Sequence, residues 1–292
     1  MSSFTTDTMA EGLRLHRRPG PRLVNIAMAV LALVVVASMA SVVINSGRIR
    51  WNVVWDYMFQ SAVLDGVKMT LMLTLVSLAG SIVLGTILAA MRISENVVLK
   101  AISGAYIWFF RGTPLLVQVV FWFNLGLFMP RIGIFGASIP TNELISATTA
   151  ALLGLLLNVS AFMCEVIRGG LIAIDKGQTE AALSIGMTPT KALSRIVLPQ
   201  AIRVIVPAAG NLAIDLLKAT SLVYVIGTRE IMGATQSIAA QTFYVVEMLL
   251  VASFWYLILV SVASYGQAKL EQRLARGITH ETRAKAKATA SE

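Results

Sequence analysis

Residues 67–91 read VKMTLMLTLVSLAGSIVLGTILAAM, an apolar run whose single charge, Lys68, stands at its start. A helix needs about 20 mostly apolar residues to cross a bilayer. Inside hydrocarbon, every backbone N–H and C=O must find its partner within the helix. This run therefore reads as a membrane-spanning helix. Its Ser77, Ser81 and Gly85 repeat every four residues. Such a stripe of small side chains lets a neighbouring helix approach closely, and packing is the preferred reading over a pore lining.

Outward from this run, five more stretches have the same character: residues 23–44, 113–129, 144–166, 202–226 and 244–265. The run at 202–226 is the least apolar. The expected fold is all-α: a polytopic bundle of six transmembrane helices. Composition agrees, because 57% of the residues are hydrophobic and only 13% charged, against about 25% charged in soluble domains. One cysteine, Cys164, excludes an intramolecular disulfide framework. The two histidines, His16 and His280, lie in the polar end segments, which excludes an intramembrane histidine metal site. A net charge of +9 would fit nucleic acid, but membrane proteins gather Lys and Arg on cytoplasmic loops. No nucleic-acid partner is expected.

The placement of Lys and Arg sets the orientation. With the N-terminus inside, eighteen of the 24 fall on the inside: Arg14, Arg17, Arg18, Arg22; Arg92, Lys100, Arg111; Arg168, Lys176, Lys191, Arg195, Arg203; Lys269, Arg273, Arg276, Arg283, Lys285, Lys287. Five fall outside: Arg48, Arg50, Lys68, Arg131 and Arg229. Lys218 lies within the fifth span. Both ends are therefore expected in the cytoplasm. The first span has one competing reading. A basic segment, an apolar run and Ser38-Met39-Ala40 together look like a cleavable signal peptide. The run is longer than the usual ~7–15 residues of such peptides, and the later topology is the same in either case.

Residues 168–207 form an inside loop too long to be mere connection. Glu180 to Ile185 is Ala-rich and helix-forming. Gly186 fits a C-terminal cap needing positive φ. Thr188-Pro189 fits a new start, with Thr as N-cap and Pro at the first helical position. The second helix is expected to end near Val197, before Leu198-Pro199. Its apolar face, Ala192, Leu193, Ile196 and Val197, needs a cover. From spacing alone that cover is either the bilayer surface or a cytoplasmic partner.

A resemblance bears on this choice. Glu180-Ala181-Ala182, Gly186, Ile196 and Leu198-Pro199 stand at the spacing of the EAA signature of permease subunits of ATP-binding-cassette importers, with every fixed position filled. Arg111-Gly112-Thr113-Pro114-Leu115-Leu116-Val117-Gln118, Glu165-Val166-Ile167-Arg168-Gly169-Gly170, Gly177-Gln178 and Leu198-Pro199-Gln200-Ala201 resemble the polar amino-acid branch of that family. The resemblance covers about residues 66–270. It implies that the loop docks into a groove of a partner ATPase, which holds ATP and Mg, with no cofactor in this chain. It further implies a second permease copy or homologous permease, an extracytoplasmic amino-acid-binding protein and a bacterial inner membrane. One departure stands out: Lys218-Ala219-Thr220-Ser221-Leu222 carries Ala219 where the branch usually has Asp.

The implied organisation is a cytoplasmic basic N-terminus (1–22), an additional helix (23–44), an outer connector (45–65), a five-helix permease core (66–270) with its loop at 168–200, and a cytoplasmic tail (271–292). Within the connector, Trp51, Trp55, Tyr57 and Phe59 look interfacial.

Single residues carry paired readings. Asp215 and Lys218 share one face of the fifth span. They mark a translocation path, or Lys218 snorkels to the outer interface beside Asp215. Asn158, Asn211, Thr220 and Ser221 line a polar path or hydrogen-bond between helices. Glu165 and Arg168 read as a structural pair, and Arg111 as the anchor of a helix start at the inner surface. Pro207 is expected to kink the fifth span. Glu230 and Glu247 read as solvated residues of the last outer loop.

The chain has no Gly-x4-Gly-Lys-Ser/Thr phosphate loop, no His-Glu-x-x-His, no Gly-x-Ser-x-Gly and no Cys-x-x-Cys. It is not expected to hydrolyse ATP or act as an enzyme. The alternatives are a gradient-driven transporter or channel for small polar solutes, whose signs would be inverted repeats or broken helices, and an intramembrane enzyme. No internal repeat is evident, and Cys164 has no histidine at its depth.

Overall fold

The computed structural model describes residues 22–45, 47, 49–134 and 137–275. The basic residues Arg14, Arg17, Arg18, Arg48, Arg276, Arg283, Lys285 and Lys287 lie outside the described residues, as do both histidines. The chain divides into two units, residues 1–50 and 51–292. The first contains one described helix, α1 (Arg22–Asn45). Its 24 residues span about 36 Å at 1.5 Å per residue.

The second unit begins with α2 (Trp51–Met58) and α3 (Ser61–Ile93). Next come α4 (Val97–Gly112), α5 (Leu115–Phe123) and the single turn α6 (Leu125–Phe128). A hairpin of β1 (Arg131–Ile134) and β2 (Ala137–Pro140) pairs antiparallel, with Arg131 opposite Pro140. The turn α7 (Thr141–Leu144) leads into α8 (Ala147–Ile172). After α9 (Lys176–Ser184) and the turn α10 (Pro189–Ala192), a π-helical turn (Leu193–Val197) enters α11 (Leu198–Ala219). A 3-10 segment (Thr220–Ile226), α12 (Ile231–Thr242) and α13 (Val245–Ala275) follow.

Among the described residues, four helices are long and apolar enough to cross a membrane: Ser61–Ile93, Ala147–Ile172, the continuous helix Pro189–Ile226, and Val245–Leu274. The pair α4 and α5 makes a fifth if counted as one span. The protein is thus a helical, multi-pass membrane protein. The core lies where α3, α5, α8 and α11 meet, around Leu73, Val119, Leu155, Leu216 and Val223.

The small residues of α3 face α8. Ser81 Oγ donates to Leu156 O at 3.1 Å, and a Cβ added at Gly85 would lie 2.8 Å from Met163 Cβ. The stripe is packing surface. Across α8, Gly154 takes the side chain of Val119 from α5: a Cβ there would meet Val119 Cγ2 at 2.6 Å. Small residues thus set helix separation on both sides of α8.

Two expectations need correction. The third span is not a helix over residues 113–129 but two helices, α4 and α5, meeting at 101°. Pro114 is the reason. It forces Thr113 into extended backbone (φ −108°, ψ 142°), so α4 ends and α5 starts afresh. Asn96 begins α4, its Oδ1 accepting from Val98 N at 2.8 Å, so Lys100 lies in the first turn of that helix and Arg111 in its last.

The second loop helix does not stop before Leu198-Pro199. Pro199 sits in the first turn of α11, where a missing N–H is tolerated. The widened π turn, with Leu198 N bonded five residues back to Leu193 O, carries the helix through. Pro207 lies within α11, which runs on to Ala219. Gln267 Nε2 of α13 donates to Pro207 O at 3.2 Å.

Candidate functional site: the capped loop and a charged pocket

The loop is built by local capping. Asp175 Oδ1 accepts from Gly177 N at 2.8 Å and starts α9. At the other end Gly186 takes φ +83°. Gly186 N reaches Leu183 O at 2.9 Å and Met187 N reaches Ala182 O at 3.1 Å, the paired bonds of a Schellman cap. Thr188 Oγ1 then accepts from Lys191 N, with Pro189 at the first helical position. Two short segments are thereby turned against each other, with Ala182 and Ala192 buried. Glu180, Ala181 and Gly186 stay exposed. So do the apolar side chains of Leu183, Ile185 and Leu193. Ile196 is partly buried, while Leu198 and Pro199 are exposed. Gln178 Oε1 accepts from Gln200 Nε2 at 3.4 Å, tying α9 to the start of α11.

From this loop one unbroken helical path, Pro189–Ile226, runs into the bundle. There α11 lines a pocket of about 350 Å³ formed by Arg111, Phe162, Glu165, Val166, Ala208, Asn211, Leu212 and Asp215. Three helices contribute: the last turn of α4, the middle of α8 and the middle of α11. Arg111 Cζ stands 5.1 Å from the centre of the Phe162 ring, a cation–π distance. Phe162 is ten residues from the C-terminal end of α8, about 15 Å in. Arg111 thus stands exposed in the last turn of α4, at the edge of an open pocket shared with Phe162.

Each pocket carboxylate has a partner. Glu165 takes a forked bond from Arg168, Nη2 to Oε2 at 2.7 Å and Nε to Oε1 at 3.1 Å. Asp215 Oδ1 lies 2.8 Å from Lys218 Nζ, both well exposed at 67% and 54%. The pocket thus offers both signs of charge over an apolar floor.

The other sequence candidates divide. Asn211 and Asp215 share the α11 face that lines the pocket. Asn158 does not: it is 8% exposed and donates to Phe110 O at 2.9 Å and Gln118 Oε1 at 3.3 Å. Gln118 Nε2 in turn donates to Phe110 O, Thr113 O and Thr113 Oγ1. Together the two amides satisfy carbonyls released where α4 breaks. Gly112 and Pro114 supply the break itself. Thr220 and Ser221 hydroxyls bond back to Leu217 O and Lys218 O, each at 2.7 Å, closing the last turn of α11.

Sequence reasoning missed Gln118 and misread Glu230 and Glu247. Both glutamates are buried, Glu230 completely. Glu230 caps α12, accepting from Met232 N at 2.9 Å and Gly233 N at 2.8 Å. It also accepts from Tyr256 Oη of α13 at 2.5 Å and Thr70 Oγ1 of α3 at 3.5 Å. An acidic residue just before an apolar run was the available cap signal.

The geometry is that of a helical membrane protein whose exposed, capped loop continues as one helix into a span lining a charged pocket. Comparison with known proteins gives the family. Residues 81–276 match the family described as binding-protein-dependent transport system inner membrane component. The chain is 40% identical over 255 residues to the arginine transport system permease protein ArgU of Corynebacterium glutamicum, covering 86% of this chain and 81% of that one. It is 31% identical over 225 residues to the glutamine transport system permease protein GlnP of Escherichia coli, covering 77% and 97%. A crystal structure of an amino acid ABC transporter with histidines aligns with TM-score 0.64 and 34% identity, over 73% of this chain and 94% of that one. The chain belongs to this family. It is a permease subunit of an ATP-binding-cassette importer, a transport subunit and not an enzyme, and not a gradient-driven carrier.

Proposed function

We propose that this chain moves polar amino acids inward across a bacterial inner membrane, and that its pocket at Arg111, Glu165, Asn211 and Asp215 lies on their path. The observation that carries this is the continuity of one helix, Pro189–Ile226, from the exposed loop to the pocket. A movement imposed on Glu180, Ala181, Ala182 and Gly186 by an ATPase is transmitted along that helix through Ile196, Leu198 and Pro199. Rigid elements joined in this way carry a nucleotide-driven rearrangement into the bilayer. The pocket chemistry supports the substrate class: a guanidinium suits a carboxylate, carboxylates suit an ammonium, and Phe162, Val166 and Leu212 suit a side-chain stem. The transport relatives named for arginine and glutamine point the same way.

The working unit is two such chains, or one with a homologous permease, on a pair of ATPase subunits that hold ATP and Mg. A binding protein delivers substrate outside. Charge bias supports six spans with both ends cytoplasmic, α1 being additional to a five-helix core at 66–270 with its loop at 168–200.

The test is ATP-dependent uptake of labelled glutamine, histidine and arginine into liposomes holding this chain, its ATPase and its binding protein. Uptake that requires ATP, with Asn211→Leu raising the half-saturating substrate concentration, supports the proposal. Uptake driven by an ion gradient without ATP contradicts it.

A further inference from the structure

The outer segment between α11 and α13 holds a surface that the coupling loop and the pocket leave unexplained. Along one face of α12 runs a groove of about 520 Å³, walled on its other side by the start of α3. Gln60, just before α3, lines it with Ser61 and Asp65 of α3, and Arg229, Ser237 and Gln241 line it from the α12 side. Asp65 pairs with Lys68 at 2.8 Å, whereas Arg229 is exposed and makes no ion pair or side-chain hydrogen bond among the described residues.

At the far end of α12, Phe243 is the helix C-cap with φ +62°, the one described non-glycine residue at positive φ. Glycine or asparagine normally fills such a cap, because a bulky side chain is strained there. Here a phenylalanine holds the position, and its ring is 86% exposed. Strain kept at an exposed aromatic points to a use for the side chain itself.

We propose that the α12 groove with Arg229 in its lining, together with Phe243 at the C-terminal cap of α12, is where the extracytoplasmic binding protein docks. The proposal rests on the orientation given above, which puts α12 outside, and on a family described as binding-protein-dependent. The two residues stand fourteen apart along the helix, about 20 Å, within the width of one standard interface patch. Arginine and aromatic side chains are the types that dominate interface energetics. The fitting partner presents an acidic side chain to Arg229 and a shallow apolar cleft to Phe243, over a polar rim that Gln60, Ser237 and Gln241 satisfy. A lipid acyl chain does not suit a groove so rich in charges and amides. Glu230 holds the platform still, because it fastens α12 to both α3 and α13.

The test uses the complex of this chain and its ATPase in lipid nanodiscs, titrated with the substrate-loaded binding protein that stimulates it. Arg229→Glu and Phe243→Asn are compared with wild type. Asparagine tolerates positive φ, so Phe243→Asn removes the ring without harming the cap. Each variant is expected to raise the half-saturating binding-protein concentration at least tenfold. Basal hydrolysis, maximal stimulated hydrolysis and thermal midpoint are expected to stay at wild-type values or, for Phe243→Asn, rise in midpoint. Half-saturation within twofold of wild type for both variants overturns the proposal. If that result comes with loss of the permease dimer, the face belongs to a second copy. If it comes with activity lost only in lipid-poor detergent, the face belongs to lipid. A wild-type complex that no binding protein stimulates overturns the importer reading and this inference with it.

Discussion

Asn158 of α8 reaches across to the carbonyl of Phe110, 2.9 Å away, at the point where α4 ends in the interior of the bundle. Gln118 of α5 shares that acceptor at 3.0 Å and holds Asn158 through its own carbonyl. The break at Gly112-Thr113-Pro114 frees backbone acceptors in a place without bulk water, and two side-chain amides supply the missing donors.

Replacing Asn158 with Leu should therefore lower stability by about 1 kcal/mol. It should leave the half-saturating substrate concentration unchanged in the surviving protein. Gln118→Leu should do the same, and the double variant should lose less than the sum, since the two amides share one acceptor. Thermal unfolding of the purified complex checks this; a changed substrate preference in Asn158→Leu would return Asn158 to the translocation path.

Glu230 makes a sharper prediction. Glu230→Leu strands the Tyr256 hydroxyl and the Met232 and Gly233 amides, each buried donor costing roughly 1–3 kcal/mol. Membrane abundance should collapse, while Glu230→Gln, which keeps one carbonyl oxygen, should retain a folded fraction. Fluorescence-detected size exclusion reads both; normal abundance of Glu230→Leu would contradict the clamp.

Gly85 sets the spacing of α3 and α8. A valine there must displace Met163 or the Cys164 backbone, both within about 3 Å of its first carbon. Overpacking of this kind costs about 1–3 kcal/mol. The thermal midpoint should fall in Gly85→Val and little in Gly112→Ala, where an added carbon meets nothing within 4 Å.

Lys218 distinguishes path from anchor. If it serves the path, Lys218→Met should reduce uptake by tenfold or more at normal abundance. Unchanged uptake would leave the Asp215 pair as an interfacial anchor only.

What was legible in the sequence follows from the range of the forces involved. The caps at Gly186 and Thr188-Pro189 act within a few residues, so local reading found them. Span existence follows from composition, and four of the six expected runs reappear as single long helices in the second unit. The bend at Pro114 was hidden because the sequence stays apolar on both sides, although the proline itself stood in view. Glu230 was misread because its partners Thr70 and Tyr256 lie 160 and 26 residues away, beyond any local pattern. That Arg111 shares a pocket with Phe162 and Asp215 was hidden for a related reason, since these residues lie on three helices far apart in the chain.

The most direct measurement is purification of the chain from its native membrane in mild detergent, as wild type and with Glu180→Lys and Gly186→Val. Co-purifying proteins are identified by mass spectrometry, and ATP hydrolysis is assayed in each preparation. Valine at the positive φ of Gly186 should spoil the turn, and lysine at Glu180 should reverse the exposed charge. Wild type is predicted to bring down an ATPase and hydrolyse ATP, and both variants to lose the two together while remaining in the membrane. An ATPase retained at wild-type level by both variants, or none recovered with the wild type, would contradict the loop's role in coupling.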